Sequence, residues 1–275
     1  MDKNPFKGIS HAVKKAGESV ASGVTGAGAT LLQTASGAAQ SGGHFVSRVL
    51  HSAVKDAEGE FKAAKDEIQR GVASEEEAAL KSLAGKKVRE YADIIRSLVK
   101  AWPAVVLRLG DEVEVLRNAA SQKRTDPKAA AAMKRIATSP ELSKTLSKAV
   151  DRSIVSFAIE FGGSVAAVAG VDGAIGFVTE LRNFTNVKRY GSVGLSLGAS
   201  AGGSGDVALG LYTSSPQNYA GPFVSITMEG AVGIGGGIVV SFGFPDLSFG
   251  GFAIPVAVGD KVNVSVGGGY TFMLA

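Results

Sequence analysis

The residues of this chain that could do chemistry are acidic side chains inside apolar segments. Glu160 and Asp172 interrupt a long apolar stretch, and together they could form a carboxylate pair in an apolar pocket. A strand end or a turn is the simpler place for either of them. Glu229 lies within a predicted strand, where it would anchor a ligand or mark a bulge. Tyr212 and Tyr219 are candidate polar contacts for the same ligand pocket.

Most catalytic and metal-binding signatures are absent from the sequence. There is no Cys, which excludes thiol nucleophiles, disulfides and cysteine zinc sites. The histidines are His11, His44 and His51, and the last two could share a helix face as a metal or pH-sensing pair, although surface histidines are commoner. No HExxH motif, Walker A lysine or GxSxG elbow occurs. We therefore predict no catalytic residue, no metal and no cofactor, in a protein that is not an enzyme.

The net charge of +4 is divided unevenly along the chain. Of the 29 basic residues only five lie from Arg152 onward, whereas seven of the 25 acidic residues do. The positive excess of the first part suits an anionic lipid surface or an acidic partner, and no nucleic-acid-binding motif accompanies it. The start of the chain lacks the apolar run of a secretory signal. We expect synthesis in the cytoplasm, followed by membrane association or export by a non-classical route.

Residues 1–43 combine an amphipathic pattern with a segment of small residues. Apolar side chains recur at spacings of three and four, while lysines lie off that stripe, as in a helix that docks on its own protein or on a membrane surface. The candidates for membrane docking are Phe6, Lys7, Ile9, Val13, Lys14 and Lys15. Residues 21–43 are rich in Gly, Ala and Ser, which favours a flexible linker or a closely packed helix.

Residues 44–152 have the pattern of a helical region. Ser74 opens a capping box, which predicts a helix that continues to Trp102 and is interrupted by Pro103. The pairs Asp126-Pro127 and Ser139-Pro140 each join a favoured N-cap to proline at the first helical position, so two further helices should begin there.

Residues 153–275 alternate large apolar residues with Gly, Ser and Ala, which predicts an antiparallel β-meander of about eight strands, as a barrel or a sandwich. The stretch 154–178 is long enough for a transmembrane helix, but its two acids and its period of two favour strands. Asp172-Gly173 and the glycines at 235–237 are predicted turns. The fold class is α+β, with helices segregated before the sheet.

A sheet with one face of large apolar residues and one face of small uncharged residues has no face suited to water. Three arrangements would cover both faces. The large residues could fill a barrel core while helices cover the small face. Small residues could instead line the interior while large residues face lipid, as in a membrane barrel. The small face could also stack on another copy of the chain.

These patterns indicate membrane activity, ligand binding or assembly rather than a particular reaction. The leading hypothesis is a membrane-active protein, such as a pore-forming toxin or effector. It would dock through its cationic helix and insert or assemble the charge-poor β region, with a homo-oligomer as one form of that assembly. The alternative is a β-barrel module that binds a small apolar ligand or lipid, with the helices as lid or tether. A structural protein that assembles through its small-residue faces is the third.

Overall fold

The structure is a computed structural model, and the residues it describes are 74–120, 127–165, 171–197, 207–229, 234–243, 246–258 and 263–274. The N-terminal amphipathic stripe with its docking candidates, the small-residue segment and all three histidines lie outside the described residues. The predicted division between a helical and a β region near residue 152 falls between the last helix, which ends at Asp151, and the first strand, which begins at Ser156.

The described part of the chain begins with five helices. They are α1 Ser74–Glu90, α2 Ala92–Arg108, α3 Gly110–Ala120, α4 Pro127–Ala137 and α5 Pro140–Asp151. Each of α2 to α5 buries one stripe of apolar side chains, spaced as the 3.6-residue period requires. The helices predicted to begin at Pro127 and Pro140 do so, because proline fits the first turn, where its missing N–H has no helical partner.

The predicted single helix from Ser74 to Trp102 is instead broken at Tyr91, and Pro103 lies inside α2 rather than interrupting it. Proline inside a helix loses one backbone hydrogen bond. Leu98, Trp102 and Val105 around it are fully buried, and this burial holds the helix together across the proline.

Helix α2 lies antiparallel against α5, and ion pairs mark both ends of the pair. Arg108 binds the Glu141 carboxylate with two hydrogen bonds of 2.7 Å, and Arg152 lies 3.2 Å from Asp93. These pairs are half-exposed, so each adds at most about 1 kcal/mol. The buried apolar stripes between the two helices supply most of the stabilisation.

Eight strands follow the helices and close into an antiparallel barrel. They are β1 Ser156–Val165, β2 Val171–Glu180, β3 Asn183–Leu197, β4 Val207–Tyr212, β5 Gly221–Glu229, β6 Ile234–Gly243, β7 Phe249–Val258 and β8 Asn263–Leu274. The order around the barrel is β1-β2-β3-β8-β5-β6-β7-β4. The predicted α+β class, with helices before an antiparallel β domain of about eight strands, is confirmed.

Within residues 154–178 the described part forms strands, with β1 at Ser156–Val165 and the start of β2 at Val171, as the period of two predicted. Among the residues that the structure describes, no helix has both the length and the hydrophobicity to cross a bilayer.

Two predicted turns are wrong, because Asp172-Gly173 and the glycines at 235–237 both lie inside strands. Asp172 and Gly173 belong to β2 and pair with Ser164 and Gly163 of β1. The glycines at 235–237 belong to β6. Strand pairing on both sides overrides the local turn preference at each place. The strand order also departs from a simple meander, since β4 lies between β1 and β7 and β8 lies between β3 and β5.

The two faces of the barrel differ, and a cavity identifies the inner one. Its wall includes Glu160, Ser192, Ala208, Val239 and Ala253, which come from strands on opposite sides of the barrel. These residues belong to the strand face that alternates with the large apolar residues. Strands on opposite sides can share a cavity only inside a closed barrel. The small-residue face therefore lines the lumen, and the large apolar face points outward.

Helices cover the outward face. Helix α1 contacts β5 and β6, α2 contacts β7, α3 contacts β2, and α4 contacts β3. Tyr91 stacks on Phe249 with ring centroids 5.1 Å apart, and Arg117 lies over the ring of Phe161. The large strand residues and the helix stripes form one buried core, with Phe157, Leu209, Ile226, Phe252 and Ile254 among its members. The arrangement differs from all three expectations: small residues line the interior, as in a membrane barrel, but helices rather than lipid cover the large residues.

Candidate ligand-binding site in the barrel lumen

The lumen contains a cavity of about 440 Å³, which lies within the size range of small-molecule sites. Gly, Ala and Ser occupy many of the wall positions, which leaves space that larger side chains would fill. Besides the strands, the wall includes residues 213, 214 and 218–220 of the β4–β5 connection and residues 246 and 248 of the β6–β7 connection. Because both connections join strands at the same end of the barrel, this end is the mouth of the cavity.

The β4–β5 connection crosses the mouth. Strands β4 and β5 are separated by β7 and β6 on one side of the barrel, yet the short helix Pro216–Asn218 in the connection contacts β2 and β3 on the other side. Ser156 donates a hydrogen bond to the carbonyl of Ser214, and Thr213 donates one of 2.8 Å to the carbonyl of Phe249. These bonds fix the start of the connection to β1 and β7, the strands on either side of β4, and the connection then carries Tyr219 into the lumen.

Four polar side chains meet at this end of the cavity, and we name them the Glu160–tyrosine cluster: Glu160 of β1, Tyr190 of β3, Tyr212 of β4 and Tyr219 of the connection. The Tyr212 hydroxyl donates a hydrogen bond to the Glu160 carboxylate. The ring of Tyr219 meets the rings of Tyr190 and Tyr212 edge to face, with centroids 4.6 and 4.8 Å apart. Such edge-to-face pairs stabilise a fixed ring geometry.

Two glycines in the wall leave the space that two of the tyrosine side chains occupy. A Cβ at Gly176 would lie 3.0 Å from the Tyr190 hydroxyl and 2.5 Å from the Ile159 carbonyl oxygen. A Cβ at Gly210 would come 2.7 Å from the Tyr212 hydroxyl and overlap its ring. The tyrosines therefore occupy space that only a residue without a side chain leaves open.

Burial controls the ionisation of the cluster. Desolvation raises the pKa of Glu160, and the hydrogen bond from Tyr212, together with the neighbouring hydroxyls of Tyr190 and Tyr219, offsets part of that rise. Desolvation and the nearby Glu160 carboxylate raise the pKa of Tyr190 and of Tyr212 well above 10.0, and burial with Tyr190 and Glu160 does the same for Tyr219. The tyrosines are neutral at physiological pH, and Glu160 keeps its proton to a higher pH than an exposed carboxyl.

The charged residues that line the cavity in the described part of the chain are both acidic. Glu160 lies in the cluster, and Asp246 lies at the mouth, where it accepts hydrogen bonds from the backbone and hydroxyl of Ser248 at 3.2 and 3.0 Å. These two hydrogen bonds lower the pKa of Asp246. No Lys, Arg or His among the described residues lines the cavity to compensate these two acids.

The Tyr190 hydroxyl is a buried polar group without a hydrogen-bond partner among the described residues. Tyr190 is 1% exposed, and an unsatisfied buried hydroxyl costs about 1–3 kcal/mol. Because Tyr190 lines the cavity, a molecule in the lumen could provide the missing partner.

The structure brings only some of the sequence candidates together. Tyr212 and Tyr219 both line the cavity. Glu229 ends β5, where its backbone pairs with Gly237 and Asn263, and its side chain lies outside the described residues, so its place in the pocket stays a prediction. Glu160 pairs with Gly176, four residues along β2 from Asp172, so the backbones of these two acids are not opposite each other. Of the two acids that could have formed a pair, Glu160 lies among tyrosines.

Sequence reasoning missed Tyr190. It follows Lys188 and Arg189 in a charged stretch, where no sequence pattern indicates a pocket. Its proximity to Glu160 depends on the strand order, in which a single strand, β2, separates β1 from β3.

Comparison with protein families, with curated proteins and with solved structures finds no match to this chain. Among the residues that the structure describes, no group of three or more His, Cys, Asp or Glu side chains is arranged to hold a metal ion.

Proposed function

We propose that this protein binds a small, largely apolar ligand inside its barrel. The observation that carries the proposal is the cavity of about 440 Å³, with a small-residue wall and four convergent polar groups at its mouth. Ligand sites in proteins combine mostly apolar walls with a few placed polar groups in this way. The β4–β5 connection, rather than the helices, lies over the entrance, and the helices support the barrel from outside.

Filling the lumen tests this function. Ser192→Phe adds a ring to the cavity wall, and we expect it to weaken binding of the neutral fluorescent probe N-phenyl-1-naphthylamine by about tenfold or more, since a cost of 1.4 kcal/mol is tenfold in affinity. Fluorescence titration measures the dissociation constant. The control is Ser143→Phe on the exposed face of α5, which makes the same change outside the barrel.

Circular dichroism shows whether both serine variants keep their secondary structure. Equal binding by the wild type and a folded Ser192→Phe protein would place the probe outside the lumen and refute the proposal.

A specific observation favours membrane association as a second candidate function. The barrel has a large apolar outer face and a small-residue lumen, which is the arrangement of a membrane barrel. Seven of its eight strands have nine or more residues, the length that crosses a bilayer. We infer that displacement of α1 to α4 would expose this face to lipid, after the amphipathic helix predicted at residues 6–24 docks on an anionic surface.

Vesicle leakage tests the second candidate. We expect the whole chain to release a trapped dye from vesicles with about one-third anionic lipid, since each Lys or Arg near such a surface adds about 1 kcal/mol. A variant without residues 1–24 should lose most of this release, and vesicles of neutral lipid are the control. Failure to bind or to permeabilise anionic vesicles would remove this candidate and leave the lumen proposal untouched.

A further inference from the structure

We propose that the ligand of the lumen carries an organic ammonium group, which the Glu160 carboxylate and the rings of Tyr190, Tyr212 and Tyr219 hold at the mouth of the cavity. This inference rests on the proposed lumen binding and names the chemical class of its ligand.

The first support is the charge of the cavity. Glu160 and Asp246 line it, and no Lys or Arg does among the described residues. Tyr212 is the hydrogen-bond donor to Glu160, and no described cationic side chain forms an ion pair with this carboxylate. A buried carboxylate without a cation is unfavourable, so a ligand that brings a positive charge gains the electrostatic interaction that the protein itself does not supply. An anionic ligand would be repelled by both acids.

The second support is the concentration of aromatic rings. Three tyrosines surround one carboxylate, and their edge-to-face contacts hold the rings at fixed angles of 77° and 68°. The electron-rich face of an aromatic ring attracts a cation, and recognition of ammonium ligands by aromatic cages uses this attraction.

The third support is the unpartnered hydroxyl. The Tyr190 oxygen is buried, lines the cavity and has no hydrogen-bond partner among the described residues. A neutral hydroxyl oxygen accepts hydrogen bonds, and an ammonium ion is a donor without acceptor capacity. A primary ammonium therefore satisfies Tyr190 as well as Glu160, whereas a trimethylated ammonium has no N–H and can satisfy only the charge.

Binding should depend on pH in a defined direction. Burial raises the pKa of Glu160 in the empty barrel, and a bound cation would lower it. Cation binding therefore releases a proton between these two values, and affinity rises with pH until Glu160 is ionised in the empty barrel. The groups that face Glu160 are Tyr190, Tyr212 and Tyr219, which stay neutral in this range because their pKa values lie well above 10.0. Asp246 at the mouth is already ionised there, since its pKa is lowered.

Three probes of equal chain length test the inference on the full chain: n-octylammonium, n-octanol and octanoate, measured by calorimetric titration at pH 6 and pH 8. We expect the ammonium to bind at least about tenfold more tightly than the alcohol at pH 8, which corresponds to 1.4 kcal/mol. Octanoate should bind more weakly than the alcohol. Titration in buffers of different ionisation enthalpy should detect the released proton.

Matched variants assign the effect to residues. Glu160→Gln keeps the shape of the side chain and should remove the preference for the ammonium over octanol and its pH dependence. Tyr190→Phe should weaken octylammonium by about threefold to tenfold more than it weakens octyltrimethylammonium, as the loss of one hydrogen bond predicts. Tyr270→Phe, which lies in the outer core rather than the lumen, is the control.

The outcomes separate the two proposals. Equal affinity for the ammonium and the alcohol, unaffected by Glu160→Gln, would overturn the cationic ligand and leave the lumen as a neutral apolar site. Binding of no probe at all, including octanol, would count against the proposed lumen binding itself.

Discussion

Replacing Trp102 by alanine is expected to destabilise the protein by about 3–5 kcal/mol, the usual cost of removing a fully buried aromatic side chain. Trp102 is completely buried in α2, and its indole N–H donates a 3.3 Å hydrogen bond to the carbonyl of Val207, the first residue of β4. The substitution leaves a cavity between helix and barrel and an unpaired carbonyl. Urea unfolding followed by circular dichroism measures the change in free energy.

Two further substitutions separate the causes of this loss. Trp102→Phe keeps most of the apolar burial and should cost less, since it loses the hydrogen bond and part of the ring. Leu107→Ala changes a residue of the same helix that is 80% exposed, so its effect should stay within about 0.5 kcal/mol. Comparable losses for Trp102→Ala and Leu107→Ala would mean that α2 does not pack on the barrel as described.

Replacing Gly251 by alanine is expected to destabilise the barrel by about 3 kcal/mol, from backbone strain and steric overlap together. Gly251 has a φ of +148°, which residues with a side chain rarely adopt. An added Cβ would lie 2.6 Å from the Tyr212 ring and 2.8 Å from its Cα, and closer still to the Leu211 carbonyl. Since Tyr212 must move, the variant should also weaken ligand binding. Denaturant unfolding and probe titration measure the two effects.

Gly110→Ala is the matched control for this substitution. A Cβ at Gly110 meets no atom within 4 Å, and the residue opens helix α3, where alanine is favoured. This variant should be neutral or stabilised by up to about 1 kcal/mol. If Gly251→Ala behaved in the same way, the close packing of β7 against Tyr212 would be incorrect.

Much of the architecture could be predicted from local patterns. Charged segments with apolar residues at spacings of three and four predicted the helices, and prolines at 127 and 140 marked two of their starts. Alternation of large and small residues predicted eight strands, because successive side chains of a strand point to opposite faces. The same local signals failed at Pro103 and at Asp172-Gly173, where burial in a helix and pairing in a sheet outweigh the preference of one or two residues.

The candidate site could be predicted only in part. Tyr212 and Tyr219 were predicted as polar contacts of a ligand pocket, and both line the cavity. The contact of Tyr190 with the cluster around Glu160 depends on the order of the strands in the barrel. The alternation of residues along a strand does not predict that order.

The pattern of residues alone establishes that this protein has helices before strands, and that each predicted strand has one large apolar face and one small face. It did not determine which face is turned inward, because a period of two is unchanged when the sheet curls in the opposite direction. Barrel closure places the large residues on the outside. This arrangement is stable because the helices of the same chain bury those residues. Small residues then line the lumen and leave space, and the connection across the mouth brings three tyrosines to one buried carboxyl.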